Sequence, residues 1–529
     1  MLNTSTAVRG IVTAPHHLAS QAGLAVLRKG GNAIEAMVAA AAAVAVVYPH
    51  MNAIGGDGFW LVHVPGKRTV GIDACGAAGA RVDAELYRRH GLTAVPTRGP
   101  LAANTVAGTI SGWEAALQLS AELGGQLPLG VLLEDAIFWA EHGVPCTDGQ
   151  RSLTEKHKAE LAPLPGFREA FLTDGHAPGA SLLFKQPRLA TTLRALSRDG
   201  LGDFYRGGLA RRIAADLAAV GSPIDLRDLQ SHTARIVQPL SIELAAGTVY
   251  NLPPPTQGLA TLMILGLCER LGDKPVDSPA YVHALVECTK QAFLVRDSSI
   301  ADPAVMKVDP ASFLRADGLA ALAARIDMSR ALPWPSRSRP GDTVWLGAID
   351  QSGCAVSFIQ SLYWEFGSGV VLPETGITWQ NRGASFTLEP DRRTSLAPGR
   401  RPFHTLNPSL AVLNDGRTMA FGTMGGEGQP QTQAALYTRH VVHGMPLQLS
   451  ITAPRWLLGR TWGAETTTLK LESRFDHGLV QELRRLGHAI ELVSEFDSLM
   501  GHAGAVVRHG NSMMEGASDP RGDGCVAGF

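Results

Sequence analysis

The sequence predicts a layered α/β fold, and three observations carry that expectation. Helices alternate with strands in both halves of the chain. The most apolar run, Ala36 to Tyr48, is alanine-rich and shorter than the roughly 20 residues a bilayer requires, so it fits a buried core helix. A strand–turn–strand pattern follows a proline-rich stretch near residue 340.

The elements follow in order. Residues 14–31 predict a helix, with Pro15 in its first turn and Gly30-Gly31 at its end. The alanine-rich helix starts near Asn32 and stops at Pro49. Gly55-Gly56-Asp57-Gly58 forms a glycine turn feeding the apolar strand Phe59 to Val62. Residues 107–170 read as mainly helical, with a loop at Pro163-Leu164-Pro165-Gly166. Pro253-Pro254-Pro255 is a rigid extended segment before a helix over 258–270. Within 281–297, Val282, Leu285, Val286 and Phe293 recur at helical spacing. Leu332 to Gly341 (LPWPSRSRPG) is the best linker candidate. Beyond it, Val344 to Ile349 and Ala355 to Gln360 flank the turn Asp350-Gln351-Ser352-Gly353 as a hairpin. Short strands recur to about residue 424, then a helix, then mixed structure, with no internal repeat.

The chain has 529 residues, enough to bury a core without disulfide or metal staples. Lys and Arg number 47 against 48 Asp and Glu, a net charge of −1. That balance argues against a nucleic-acid partner, which needs a basic stripe, and against electrostatic docking on a membrane. The six cysteines form no CxxC pair and read as free thiols in a reducing compartment. The first residues lack the apolar core of a secretory signal, so the expected location is cytoplasmic.

The standard catalytic motifs are missing: there is no HExxH, P-loop, GxSxG elbow or GxGxxG. His440 and His443 have no nearby acidic or cysteine ligand and read as packing or surface residues, as do His16-His17 at a helix start. No metal and no organic cofactor are expected. Gly341-Asp342-Thr343, between linker and hairpin, is a different kind of candidate. A threonine hydroxyl becomes a usable nucleophile when its own α-amino group serves as the base, which requires a cut just before it. Locally, an Asp-Thr loop capping a strand is the more ordinary reading.

A series of segments changes that balance. Gly55 to Phe59, Pro100-Leu101-Ala102 with Gly108-Thr109, Pro253-Pro254-Pro255-Thr256, and Thr343 with Val344 to Asp350 come first. Phe366-Gly367-Ser368-Gly369, Met424-Gly425-Gly426, Ala453-Pro454-Arg455 and Gly516 to Arg521 follow. In this order, over nearly the whole chain, they resemble the γ-glutamyltransferase family of N-terminal-nucleophile hydrolases. The resemblance implies a four-layer αββα sandwich, made as a proenzyme and cut autocatalytically between Asp342 and Thr343. Residues 1–342 would form a large subunit and 343–529 a small one, both within one sandwich, and a homo-oligomer of that heterodimer stays open. It implies Thr343 as nucleophile, Gly425 and Gly426 as oxyanion-stabilising backbone, and Ser361 as a second hydroxyl supporting the amino group. A plain tight turn and an ordinary strand serine are the alternatives.

The departures from the family's pattern carry the specificity. Cys75 stands where the γ-glutamyl enzymes hold the glutamate carboxylate with an arginine, Tyr363 replaces an Asn, Arg382 a Gln, Ser385 an Asp, and His404-Thr405 two serines. The anionic ammonium-binding group is lost and an arginine gained, which argues against glutathione as a good substrate and for a small amide with an anionic group. Trp379 to Phe386, Phe403 to Pro408, Gly428 to Thr432 and Met500 to Gly504 resemble the family branch that hydrolyses oxamate to oxalate and ammonia in purine (allantoin) catabolism. Arg382 would clamp the substrate carboxylate, with Tyr363, His404 and Thr405 as hydrogen-bond partners. Pairing of Arg382 with Glu365 or Glu374, and a merely orienting role for His404, remain the alternatives. The rival functions are a glutathione or γ-glutamyl hydrolase or an acylase of the same family, and an unprocessed homologue that only binds.

Overall fold

The computed structural model describes residues 3–179, 181–334, 342–459 and 467–529. Residues 335–341, most of the expected linker and Gly341 of the junction, lie outside the described residues.

Two seven-stranded sheets pack face to face. In the first, the strands run in the order Cys525–Gly528, Gly10–Ala14, Asp342–Asp350, Ala355–Tyr363, Asp57–His63, Val70–Ala74, Arg235–Val237. In the second, the order is Ser5–Ala7, Met514–Ser518, Ala503–Arg508, Thr418–Thr423, Ser409–Leu413, Gly247–Asn251, Leu240–Leu244. The expected hairpin is the centre of the first sheet, its strands antiparallel with Ile349 opposite Ala355.

Alternation along Asp342–Asp350 explains why it sits between two layers. Val344, Leu346 and Ala348 face the helices, while Trp345 and Ile349 face the second sheet with Ile11, Phe59, Ile359, Leu410 and Val506. The indole of Trp345 lies so close that a Cβ at Gly422 would fall 2.2 Å from its Cδ1. This glycine lets the start of the first strand and the end of Thr418–Thr423 meet across the sheets.

Helices cover both outer faces. Ala33–Val47 is apolar all round and buried at every position, because the first sheet and neighbouring helices enclose it. Asn32 and Glu35 form a capping box at its start, and Asp350 Oδ2 accepts the Ala33 N–H at 2.8 Å, tying the hairpin turn to the helix N-terminus. Gly258–Arg270, Pro279–Ser299 and Gly428–Tyr437 cover the second sheet. The fold is the four-layer αββα sandwich. No helix among the described residues is long and apolar enough to cross a membrane. All six cysteines are unpaired.

The first helix begins later than expected. Gly10–Ala14 is a strand of the first sheet, so Pro15 lies outside the helix, which runs His17–Arg28 with His16 Nδ1 accepting the Leu18 N–H. Local helix signals gave way there to a strand pairing with partners more than 300 residues away.

Candidate active site

Thr343 stands second in the strand Asp342–Asp350 and is fully buried. The pairing with Ala355–Tyr363 slips here: Asp342 pairs with Tyr363 but Val344 with Gln360. Such a bulge re-aims side chains at a strand end. Ser361 lies on the partner strand beside it, and its Oγ accepts the Tyr363 N–H at 2.8 Å. Gly56 backs this point, since a Cβ there would meet the Ser361 carbonyl at 2.1 Å. Tyr363 closes the strand at φ +84, a conformation that costs a non-glycine residue of order 1–3 kcal/mol and clusters at functional sites.

The expected partnership of Arg382 and Tyr363 is a stack. The Arg382 guanidinium carbon lies 3.9 Å from the ring centroid of Tyr363. Arg382 is 1% exposed, and Nε, Nη1 and Nη2 all lack a hydrogen-bond partner. Neither Glu365 nor Glu374 pairs with it. Burial pushes the guanidinium down to about 10, opposed by Tyr363, Asp57 and Cys75, so it stays cationic at neutral pH.

His404 and Thr405 are buried in the segment before Ser409–Leu413. Two backbone bonds hold His404, its N–H to the Pro255 carbonyl at 2.8 Å and its carbonyl from the Gln257 N–H at 2.9 Å. Its ring packs edge-on against Phe59, and Thr405 Oγ1 has no partner. His404 Nε2 lies 3.0 Å from Asp57 Oδ2, an ion pair only when the ring is protonated, and neither ring nitrogen nor Oδ2 makes a hydrogen bond. Burial drives His404 well below the usual histidine range, with Arg382 and Arg401 adding to the effect. Asp57 rises to about 7 through burial, opposed by the Gly76 N–H and Arg382.

Asp57 is the residue the sequence reading passed over. It enters there as part of a glycine turn and of the family segment Gly55 to Phe59, with no role of its own, yet its Oδ1 accepts from Gly76 N, Gly108 N and Gln380 Nε2 at 3.0, 3.1 and 3.1 Å. An acid inside a glycine-rich turn before an apolar strand was the available signal. Gln257 was also missed. Its Nε2 donates to the carbonyls of Thr405 at 2.7 Å and Gly426 at 2.8 Å, tying the expected substrate-facing loop to the expected oxyanion turn. Arg296 fixes that amide, donating to Gln257 Oε1 at 3.0 Å and to Glu427 Oε1 at 2.7 Å.

Gly425 and Gly426 occupy φ +120 and +50, just after the strand Thr418–Thr423 and just before the helix Gly428–Tyr437. A positive helix end favours negative charge at that turn. Cys75 is buried directly after Val70–Ala74 and lines a cavity of about 410 Å³ with Asp73, Val106, Arg235 and Arg401. His440 and His443 keep packing roles, the first bonded to the Met445 carbonyl at 2.9 Å and the second edge-on to Tyr281.

Comparison with known proteins gives the chain its family. The chain is 55% identical to the oxamate amidohydrolase proenzyme of Klebsiella pneumoniae over 100% of both chains. It is 40% identical to the glutathione hydrolase-like YwrD proenzyme of Bacillus subtilis, covering 98% of each. The crystal structure of cephalosporin acylase from Bacillus halodurans superposes with a TM-score of 0.90 at 32% identity, covering 100% of this chain and 97% of that one. The gamma-glutamyltranspeptidase family profile matches residues 19–529, and the chain belongs to that family.

Proposed function

We propose that this chain is a self-processing N-terminal-threonine amidohydrolase acting on oxamate. The observation that carries the substrate reading is Arg382: a buried cation, held on Tyr363, with all three nitrogens unpartnered. A planar fork of this kind suits a carboxylate bound through two parallel hydrogen bonds. The similarity to an oxamate amidohydrolase proenzyme supports the same reading.

In processing, Thr343 Oγ attacks the Asp342 carbonyl, the peptide C–N bond breaks and water hydrolyses the ester. Thr343 thereby gains a free α-amino group, and the products are residues 1–342 and 343–529. In turnover, the amine takes the Oγ proton as Oγ attacks the amide carbon. The Gly425 and Gly426 N–H groups meet the oxyanion. Ammonia leaves with the proton from the amine, an oxalyl ester remains on Thr343, and water, deprotonated by the same amine, releases oxalate. Ser361 supports the amine; Arg382, Tyr363, His404 and Thr405 hold the substrate. A cytoplasmic place in purine (allantoin) catabolism belongs to this reading.

A second reading, hydrolysis of γ-glutamyl amides, draws on Asp57, whose unpartnered Oδ2 stands near Arg382 and would face an ammonium. The rise of Asp57 to about 7 weakens it as a counter-ion, which favours the first reading. Ammonia release from purified protein given oxamate, and product release from glutathione and a γ-glutamyl anilide, separate the two. On a denaturing gel the wild type should run as two bands and Thr343→Ala as one. A wild type that never splits would remove the mechanism; turnover of glutathione but not oxamate would remove the substrate.

A further inference from the structure

We propose that Asp57, Cys75 and His404 form a binding site for a thiophilic divalent cation of the zinc class. One ligand atom from each, a carboxylate oxygen, a sulfur and an imidazole nitrogen, lies within 4.8 Å of the other two. All three side chains are buried. A tetrahedral zinc ion bound at about 2.0–2.3 Å places its ligand atoms roughly 3.3–3.7 Å apart, and His404 Nε2 and Asp57 Oδ2, at 3.0 Å, already stand near that spacing. Three protein ligands of mixed S, N and O type leave a fourth position for water.

The groups are held in place but not used up. Asp57 spends Oδ1 on Gly76, Gly108 and Gln380, leaving Oδ2 without a hydrogen bond. His404 is fixed by its backbone, and both ring nitrogens lack partners. Cys75 is anchored by its N–H on Asp73 Oδ1 at 3.0 Å, and its thiol donates to the Gly76 carbonyl at 3.6 Å, which leaves the sulfur lone pairs for an ion. Burial, with Asp57 and Asp73, holds the thiol protonated against the opposing pull of Arg401 and Arg382; metal binding would expel the proton outright. Cys75 also lines the 410 Å³ cavity, together with Arg235 and Arg401.

The one other such grouping among the described residues, His283, Glu287 and His488, lacks these properties. There the two rings bond each other at 2.8 Å, His283 Nε2 is bonded to the Asp327 carbonyl, and Glu287 is taken by Lys290 and the Leu332 N–H. Its lone pairs are already engaged.

An ion on Asp57 and His404 sits beside Arg382, so zinc should lower amide turnover; that consequence rests on the proposed function, whereas binding itself does not. The test is a titration of the full-length protein with cobalt(II), read by absorption. Expected are the visible bands of a four-coordinate site and a near-ultraviolet thiolate-to-cobalt band, saturating at about one equivalent and abolished by zinc. Cys75→Ser should lose the thiolate band. Asp57→Asn should keep it with affinity weaker by about ten-fold or more, since losing a ligand costs at least what losing an outer partner costs. No thiolate band in the wild type, or an undiminished band in Cys75→Ser, overturns the site. If Cys75→Ser does not fold, X-ray absorption on the zinc-loaded wild type decides: a sulfur neighbour at about 2.3 Å is expected, and a shell of nitrogen and oxygen alone refutes. These readouts follow the bound ion, so a protein inactive on oxamate leaves them intact.

Discussion

Replacing Arg382 by methionine should make the protein more stable and much less active, two effects of opposite sign from one structural fact. The guanidinium is buried with no hydrogen-bond partner and is pushed from the usual arginine range down to about 10. At 1.36 kcal/mol per unit, holding it charged costs the empty protein about 3 kcal/mol. The group is a base with a depressed folded-state value, so this cost is present throughout the range below about pH 10 and fades only as the folded form loses its proton. The stack on Tyr363 returns about 0.5–2 kcal/mol, and methionine keeps part of the stem's packing. Net stabilisation of about 1–2 kcal/mol should therefore appear as a higher melting temperature without ligand. Two charge-assisted hydrogen bonds to a substrate carboxylate are worth about 1.5–3 kcal/mol each, so kcat/KM on oxamate should fall by about 10²–10⁴-fold. Oxalate should raise the melting temperature of the wild type and leave that of Arg382→Met unchanged. Arg382→Lys, which keeps the charge but not the fork, should fall between. The reasoning fails if Arg382→Met keeps kcat/KM within about ten-fold of wild type, or if oxalate stabilises both proteins equally.

Two further outcomes follow from strain and burial elsewhere. Gly425 sits at φ +120, where an L side chain is strained by about 1–3 kcal/mol, so Gly425→Ala should lower kcat by about 10²–10³-fold with KM nearly unchanged. Gly426 sits at φ +50, where asparagine is tolerated, so Gly426→Asn should lose less through strain than Gly425→Ala; a Gly425→Ala kcat within a few-fold of wild type would remove the oxyanion assignment. His488 is pushed from 6.5 to about 3 by burial, with Lys290 and His283 contributing. Its folded value is depressed, so stability is whole above pH 6.5 and declines towards pH 3, by about 2–3 kcal/mol at pH 4. His488→Gln should flatten that part of the urea-midpoint profile, and parallel profiles for the two proteins would contradict it.

The parts of the fold legible in the sequence were those decided locally. The alanine-rich helix carries its own capping box at Asn32 and Glu35, and the hairpin its own turn at Asp350. What could not be read was decided by partners far along the chain. Gly10–Ala14 is a strand because Asp342–Asp350 and Cys525–Gly528 flank it. Asp57 gains its role from glycines at 76 and 108 and a glutamine at 380. Residues at departures from the family pattern were legible in kind but not in partner. Arg382 was expected to meet either a ligand or an acid, and it meets an aromatic face, which leaves its hydrogen-bonding edge open.

That open edge says something about where the sandwich carries its costs. Elsewhere buried charge is matched: Arg521 is bonded to Asp519 and Glu472, Arg455 to Asp519, and Lys290 to Glu287. Removing one member of such a pair typically costs about 3–5 kcal/mol, so the matching is a condition of stability. At the strand ends around Thr343 the rule is broken repeatedly. Tyr363 is held at positive φ, Arg382 has no hydrogen-bonding counter-group, and His404 and Asp57 approach without bonding. These departures come from four separate chain segments, so no single local sequence accident produces them. For the guanidinium, the imidazole and the Thr405 hydroxyl one remedy serves, an anion with hydrogen-bonding edges set among Arg382, His404 and Thr405. A bound carboxylate would satisfy the guanidinium and two neighbours at once, and its binding energy would be largest where the empty protein is least satisfied. The same argument explains why the clamp is arginine on an aromatic face: the stack fixes the plane of the fork without using any of its donors, so all of them remain for the ligand.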